Sequence, residues 1–137
     1  MILTTASGAR LEAWVNAQVG KPTVVLIHGW LGHADSSYML SAAASLSQAG
    51  YSVVRLNLRD HGETAHLNEA LFHSARIDEV VDAVVQIKQS TDQNVGLLGF
   101  SLGGNFSLRV AKATGLHAIA VCPAMDPAAT SLAIDDG

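Results

Sequence analysis

The chain has 137 residues, of which 49% are hydrophobic and 15% are charged, and its formal net charge at pH 7 is −4. This composition excludes a disordered chain and predicts a single folded domain over residues 1–137. An acidic balance without a basic cluster argues against a nucleic-acid partner, and the lack of a signal sequence or of a run of about 18 apolar residues predicts a cytoplasmic protein with no transmembrane segment.

The predicted elements begin with two short strands that alternate apolar and polar side chains, as a strand with one buried face does. They cover residues 2–5 and Arg10–Asn16, and the SGA between them at residues 7–9 predicts a turn. We therefore expect an antiparallel hairpin at the N-terminus.

Four nearly continuous apolar runs come next, and such runs are typical of parallel strands buried on both faces. They are Thr23–Ile27, Ser52–Leu56, Val95–Phe100 and residues 118–122. Stretches with helical spacing separate them, at about residues 37–49, from residue 77 onward, and from just after Ser101 to Gly115. The alternation predicts an α/β fold with a doubly wound, mostly parallel sheet, which binds its ligands at the carboxyl ends of the strands.

The helix that begins at residue 77 has the clearest pattern. Its apolar residues recur at positions i, i+3, i+4, i+7 and i+8, which places them on one face. They are Ile77, Val80, Val81, Val84 and Val85. Asp78, Glu79 and Asp82 are predicted to occupy the other face, and the first two also suit the positive end of the helix dipole.

The most specific motif is GFSLGG at residues 99–104, between a predicted strand and a predicted helix. Gly-x-Ser-x-Gly in this context is typical of a nucleophile elbow, a strained turn that exposes a serine hydroxyl. The residues two before and two after the serine come too close together to carry side chains, and Gly99 and Gly103 meet that requirement. We predict Ser101 as the nucleophile and the Leu102 amide, at the helix N-terminus, as an oxyanion donor.

A second glycine-containing loop directly follows the predicted strand Thr23–Ile27. This HGW loop, with the sequence HGWLG, covers residues 28–32. Its glycines allow a sharp turn toward the neighbouring loop, and we predict the amide of Trp30 as the second oxyanion donor. A plain connecting loop is the alternative interpretation.

In order and spacing, the segments VVLIHGWLG, LRDHGET and GLLGFSLGGN resemble the α/β-hydrolase superfamily of serine esterases and lipases. The resemblance covers essentially the whole chain. Within the superfamily, the HGW loop, LFHSARIDEV and SLGGN are similar to the embryogenesis-associated (YheT-like) branch. The resemblance implies an eight-stranded sheet, Ser101 as nucleophile, oxyanion donors at Trp30 and Leu102, and hydrolysis of an ester, thioester or lipid acyl group. We expect no cofactor.

The base and the acid of a catalytic triad are not identifiable from these motifs. In the family, both come after later strands than those predicted here. His61, which follows a strand at the same edge of the sheet, is a candidate base, and Asp126 is a candidate acid. An aspartate that shapes the substrate pocket is the alternative interpretation of Asp126. His28 is expected to stabilise its own loop, as in members of the family.

Metal and disulfide chemistry have little support in the sequence. The other histidines have no HExxH or paired-carboxylate spacing around them, so we predict no metal site. They are His33, His66, His73 and His117. Cys122 is the single cysteine, which excludes an intramolecular disulfide, and its apolar surroundings predict a buried side chain.

Compared with the family, the chain is expected to lack the last two strands of the sheet. Residues 118–122 then form an edge strand, whose unpaired amides and carbonyls recruit either the rest of a longer polypeptide or a second copy in a homodimer. Two functions remain open. One is a serine hydrolase that acts on a small-molecule ester or lipid through an acyl-Ser101 intermediate, and the other is a degenerate hydrolase domain that serves binding or assembly.

Overall fold

The computed structural model describes residues 1–5, 10–29, 34–58, 77–100 and 102–121. These contain strands β1 (Ile2–Thr4), β2 (Arg10–Asn16), β3 (Thr23–Ile27), β4 (Ser52–Leu56), β5 (Val95–Phe100) and β6 (His117–Val121), and helices α1 (Ser37–Gln48), α2 (Ile77–Gln89) and α3 (Leu102–Thr114). The predicted alternation of strands and helices is confirmed. The predicted turn at residues 7–9 lies outside the described residues.

The described strands form one sheet in the order β1-β2-β4-β3-β5-β6. β1 pairs antiparallel with β2, and β2 pairs antiparallel with β4. The other neighbours are parallel: β4 with β3, β3 with β5, and β5 with β6. A parallel region with an antiparallel hairpin beside it is the predicted fold class.

Helices cover both faces of the sheet. On one face, α2 and α3 pack on the strands in the larger core, which includes Val84, Phe106 and Val25. On the other face, α1 packs in a smaller core that includes Met39 and Leu26. Because both faces of the parallel strands are covered, the apolar runs that form β3 and β4 are buried, as such runs predict.

Strand β6 is more exposed than its apolar sequence predicts. Ile119 is 68% exposed and Val121 is 42% exposed. The reason is that β6 is last in the strand order, while α1 packs over β4 and β3. The prediction of burial on both faces is therefore wrong for β6, and its position at the edge of the described sheet is as expected.

The buried face of α2 is rotated from the predicted one. Val80, Ala83, Val84 and Ile87 are buried, and so is Glu79, which is 5% exposed. Ile87 lies beyond the predicted apolar pattern. Because Ile87 is buried, the buried face of α2 includes the side of the helix that carries Glu79. The prediction that Glu79 lies on the exposed face is wrong. A carboxylate in the first helical turn is stabilised there by the helix dipole.

Within the part of the chain that the structure describes, no helix is both long enough and apolar enough to cross a membrane. The cytoplasmic location and the organisation as a single domain stay predictions.

Candidate active site

The ends of β3 and β5 lie side by side and lead into the two predicted loops. Ile27, the last residue of β3, is the register partner of Gly99 in β5 and of Leu56 in β4. These strands are parallel, so the segments that follow them begin at the same edge of the sheet. The HGW loop and the serine motif therefore leave the sheet as neighbours.

The connection between β5 and α3 is a single residue. β5 ends at Phe100 and α3 begins at Leu102, so Ser101 is the residue between them. A strand and a helix that are separated by one residue are the context in which a nucleophile elbow is expected. Ser101 itself lies outside the described residues.

Two glycines allow the backbone around this connection to approach closely. A Cβ atom on Gly99 would lie closer than 3.0 Å to the carbonyl of Gly103 and to the hydroxyl of Ser107. A Cβ atom on Gly103 would lie as close to the carbonyls of Ile27 and His28. Real Cβ atoms essentially never come so near to another atom. The absence of a Cβ atom at Gly99 therefore lets β5 lie close to the start of α3. Its absence at Gly103 lets α3 lie close to the end of β3 and the start of the HGW loop.

His28 stabilises the HGW loop from inside the protein. Its side chain is fully buried, and its Nε2 accepts a hydrogen bond from the N–H of Leu58 at 2.9 Å. Its Nδ1 lies 2.7 Å from the carbonyl oxygen of Gly29. A ring nitrogen that accepts a hydrogen bond carries no proton, so the tautomer that fits both contacts is neutral and donates from Nδ1. The ring thus ties the start of the loop to the end of β4.

Tyr38, in the first turn of α1, contacts both neighbouring segments. Its hydroxyl accepts a hydrogen bond from the N–H of Gly29 at 2.7 Å. Its ring packs edge to face on the ring of Phe100, with the centroids 4.9 Å apart and an interplanar angle of 61°. One side chain therefore connects the HGW loop to the residue that precedes Ser101.

The residues that follow the HGW loop are anchored on β4 and the residue after it. The N–H of Ala34 donates to Oδ1 of Asn57 at 2.7 Å. Arg55 donates to the carbonyl of Ala34 at 2.8 Å and to the carboxylate of Asp35 at 2.7 Å. Asn57 in turn donates to Oε1 of Glu12 at 2.9 Å, which extends the connection to β2. The loop is thus tied to the fold at both ends.

The predictions from the sequence did not include Tyr38, Asn57 or Arg55. Two of them had a signal, because Arg55 interrupts the apolar strand SVVRL and Asn57 follows it directly. Polar groups at such positions are buried and need hydrogen-bond partners. Tyr38 had no such signal, since a tyrosine at the start of a helix fits many environments.

Most of the predicted site residues lie outside the described residues. This applies to Trp30, Ser101, His61 and Asp126, whereas Leu102 is the first residue of α3. Their roles stay predictions. Among the residues that are described, no three histidine, cysteine, aspartate or glutamate side chains lie together as metal ligands would.

A cavity of about 310 Å³ lies at the amino ends of the parallel strands, where β3 begins at Thr23 and β4 begins at Ser52. Gln18 and Lys21 also line it. The HGW loop and the serine motif follow the carboxyl ends of these strands, so this cavity is separate from the candidate active site.

Comparison with known proteins identifies a family and several similar structures. The model of the family described as alpha/beta hydrolase fold matches residues 22–130. Protein phosphatase methylesterase 1 of Rattus norvegicus is 33% identical over 93 residues, which cover 67% of this chain and 24% of that protein.

Two solved structures share the fold. An esterase of Pyrococcus furiosus has a TM-score of 0.80 at 21% identity, covering 90% of this chain and 50% of that chain. A serine hydrolase without a lid from Xanthomonas campestris has a TM-score of 0.74 at 24% identity, covering 90% of this chain and 60% of that one. The chain spans less than two thirds of the length of each of these three proteins.

Proposed function

We propose that this chain, which belongs to the alpha/beta hydrolase fold family, hydrolyses carboxylic esters or related acyl compounds with Ser101 as the nucleophile. The observation that carries the proposal is the backbone approach at Gly99 and Gly103. These contacts have the form that an exposed serine between a strand and a helix requires. They also bring the start of α3, the helix that follows Ser101, against the start of the HGW loop, where the second oxyanion donor is expected.

In the proposed reaction, the Ser101 oxygen forms a bond to the acyl carbon, and the carbonyl electron pair moves onto the carbonyl oxygen. The amides of Leu102 and Trp30 donate to that oxyanion. The leaving alcohol takes up the serine proton through a base, and water then releases the acid from the acyl-serine. His61 is the candidate base in this chain, and Asp126 is the candidate acid.

The hydrogen bonds around the HGW loop support Trp30 as the donor. The N–H of Gly29 is already donated to Tyr38, and the nearby N–H of Leu58 is donated to His28. The next amide along the loop is that of Trp30. Since an oxyanion donor must be free to face the developing charge, Trp30 is a better candidate than Gly29.

The similar proteins favour ester substrates. The rat relative is named a methylesterase, and the Pyrococcus furiosus structure is that of an esterase. We therefore propose a carboxylic ester as the substrate class, ahead of a thioester or a lipid. The assignment to the embryogenesis-associated branch stays a prediction.

A fluorophosphonate probe tests the proposal, because it labels an activated serine by forming a P–O bond and expelling fluoride. We expect labelling of the wild type and of the control Ser45→Ala, whose serine is exposed on α1, and none of Ser101→Ala. A folded wild type that does not label would contradict the proposal and favour the alternative of a degenerate domain that serves binding or assembly.

A further inference from the structure

We propose that Tyr38 is a positioning residue of the acyl-transfer site, which fixes Gly29, at the start of the HGW loop, relative to the strand end that precedes Ser101. This inference rests on the proposed function and deepens it. The observation behind it is that one side chain contacts Gly29 through its hydroxyl and Phe100 through its ring.

The two contacts lie next to the second proposed oxyanion donor and the proposed nucleophile. Gly29 directly precedes Trp30, and Phe100 directly precedes Ser101. The hydroxyl contact is 2.7 Å long, and the ring contact has the edge-to-face geometry that aromatic pairs prefer. Together they connect Gly29, at the start of the HGW loop, to the last residue of β5.

The helix that carries Tyr38 is well anchored. Met39, the next residue, is fully buried against Leu26 and Val53 in the core below α1. Tyr38 itself is 37% exposed, so its packing contributes little to that core. Its contacts with Gly29 and Phe100 are therefore better explained by alignment of the loop than by stability of the fold.

The hydroxyl contact also orients the peptide group between His28 and Gly29. His28 Nδ1 contacts the carbonyl of Gly29, and Tyr38 accepts from the Gly29 N–H, so both polar groups of that glycine are fixed. The carbonyl of Gly29 belongs to the same peptide group as the amide of Trp30. Because that peptide is planar, we expect the direction of the Trp30 N–H to follow that of the Gly29 carbonyl, which His28 holds directly and Tyr38 influences through the backbone of Gly29.

Removal of the Tyr38 hydroxyl should therefore raise the free energy of the transition state more than it weakens substrate binding. An oxyanion contact forms fully only when charge develops on the carbonyl oxygen, so its loss lowers kcat and leaves KM nearly unchanged. Loss of a whole donor costs on the order of a hundredfold in rate. A donor that is misaligned and still present should cost less, and we expect kcat to fall about tenfold in Tyr38→Phe.

The experiment compares Tyr38→Phe with Tyr51→Phe in the hydrolysis of p-nitrophenyl acetate. Tyr51 is also 37% exposed and lies beyond the other end of α1, which makes it a matched control. We expect the fall in kcat only in Tyr38→Phe. In the same variant, the amide NMR signal of Gly29 should move and its hydrogen exchange should accelerate, while the amides of β3 stay unchanged.

Three results would contradict the inference in distinguishable ways. If Ser101 of the wild type reacts with a fluorophosphonate and kcat in Tyr38→Phe stays within about twofold of wild type, Tyr38 does not position the site and the proposed function stands. If the wild type does not react at Ser101, the proposed function fails and the inference fails with it. An unchanged Gly29 amide signal would separately contradict the hydrogen bond.

Discussion

At the scale of single residues, the lack of a Cβ atom explains why glycine occupies the positions two before and two after Ser101. Gly99 lies over the hydroxyl of Ser107 and the carbonyl of Gly103, and Gly103 lies over the end of β3. Neither contact can be relieved by moving a flexible side chain alone, because backbone carbonyls take part in both. The glycines are therefore required by the close packing of two strands and a helix.

We predict that Gly99→Ala destabilises the fold by about 3 kcal/mol or more, since the added methyl group must displace backbone atoms. The control is Gly96→Ala in the same strand, where the Cβ atom would make an ordinary contact of 3.7 Å with the carbonyl of His117. That variant should lose less than about 1 kcal/mol. Urea unfolding measures both free energies, and equal losses in the two variants would contradict this explanation.

The requirement for Gly99 and Gly103 could be predicted from the sequence, because the motif GFSLGG has a known steric cause and stands between a strand and a helix. The polar contacts around the HGW loop could not be predicted from the sequence. The contact between Asn57 and Ala34 joins positions that are 23 residues apart, and no local pattern in the sequence reports which buried amide an asparagine meets.

At the scale of elements, the HGW loop depends on β4 as much as on β3, from which it leaves. His28 reaches the N–H of Leu58, and Asn57 reaches the N–H of Ala34. Asn57 and Leu58 both follow β4, which is the parallel neighbour of β3. The described residues on either side of the loop, His28, Gly29 and Ala34, are therefore held by the ends of two strands and the first turn of α1.

We predict that Asn57→Ala loosens this loop. Asn57 is 3% exposed, and its loss leaves the buried N–H of Ala34 without its partner, while Oε1 of Glu12 keeps the hydrogen bond from Trp14 Nε1. A buried group without a partner costs about 1–3 kcal/mol. Hydrogen exchange at Ala34 should accelerate more than at β3, whereas Asn94→Ala, at an exposed position, serves as the control. Unchanged exchange at Ala34 would contradict the role of Asn57.

The element boundaries were predictable where a physical stop signal exists. The helical stretch predicted at about residues 37–49 stops before Gly50, whose φ of 97° lies in the left-handed region that favours glycine. The N–H of Tyr51 then donates to the carbonyl of Leu46 at 3.0 Å, which completes the helix end. The rotation of α2 was not predictable, because its sequence contains two overlapping apolar stripes and only the packing partner selects one.

At the scale of the whole molecule, the described sheet ends in a strand with exposed apolar side chains. Ile119 and Val121 lie on the face of the sheet that α1 covers over β3 and β4. An exposed strand edge with such side chains tends to acquire a partner. We propose that two copies of the chain pair through β6.

This pairing predicts a mass in light scattering of twice the 14.3 kDa of one chain. Ile119→Lys should give the mass of a single chain, because a charge would then lie in the apolar contact. Val19→Lys, at a fully exposed position outside the sheet, should remain paired. A wild type that is monomeric, with β6 amides that exchange rapidly, would contradict the pairing.

The central claim is that Ser101 is the nucleophile of an acyl transfer, and trapping the intermediate tests it most directly. The protein is mixed with p-nitrophenyl acetate, quenched in acid within the first turnover and digested for peptide mass mapping. The account predicts an acetyl group on the peptide that contains Ser101, and none on that peptide in Ser101→Ala. No acetyl group at Ser101 in the folded wild type, or an equal amount in the variant, would contradict it.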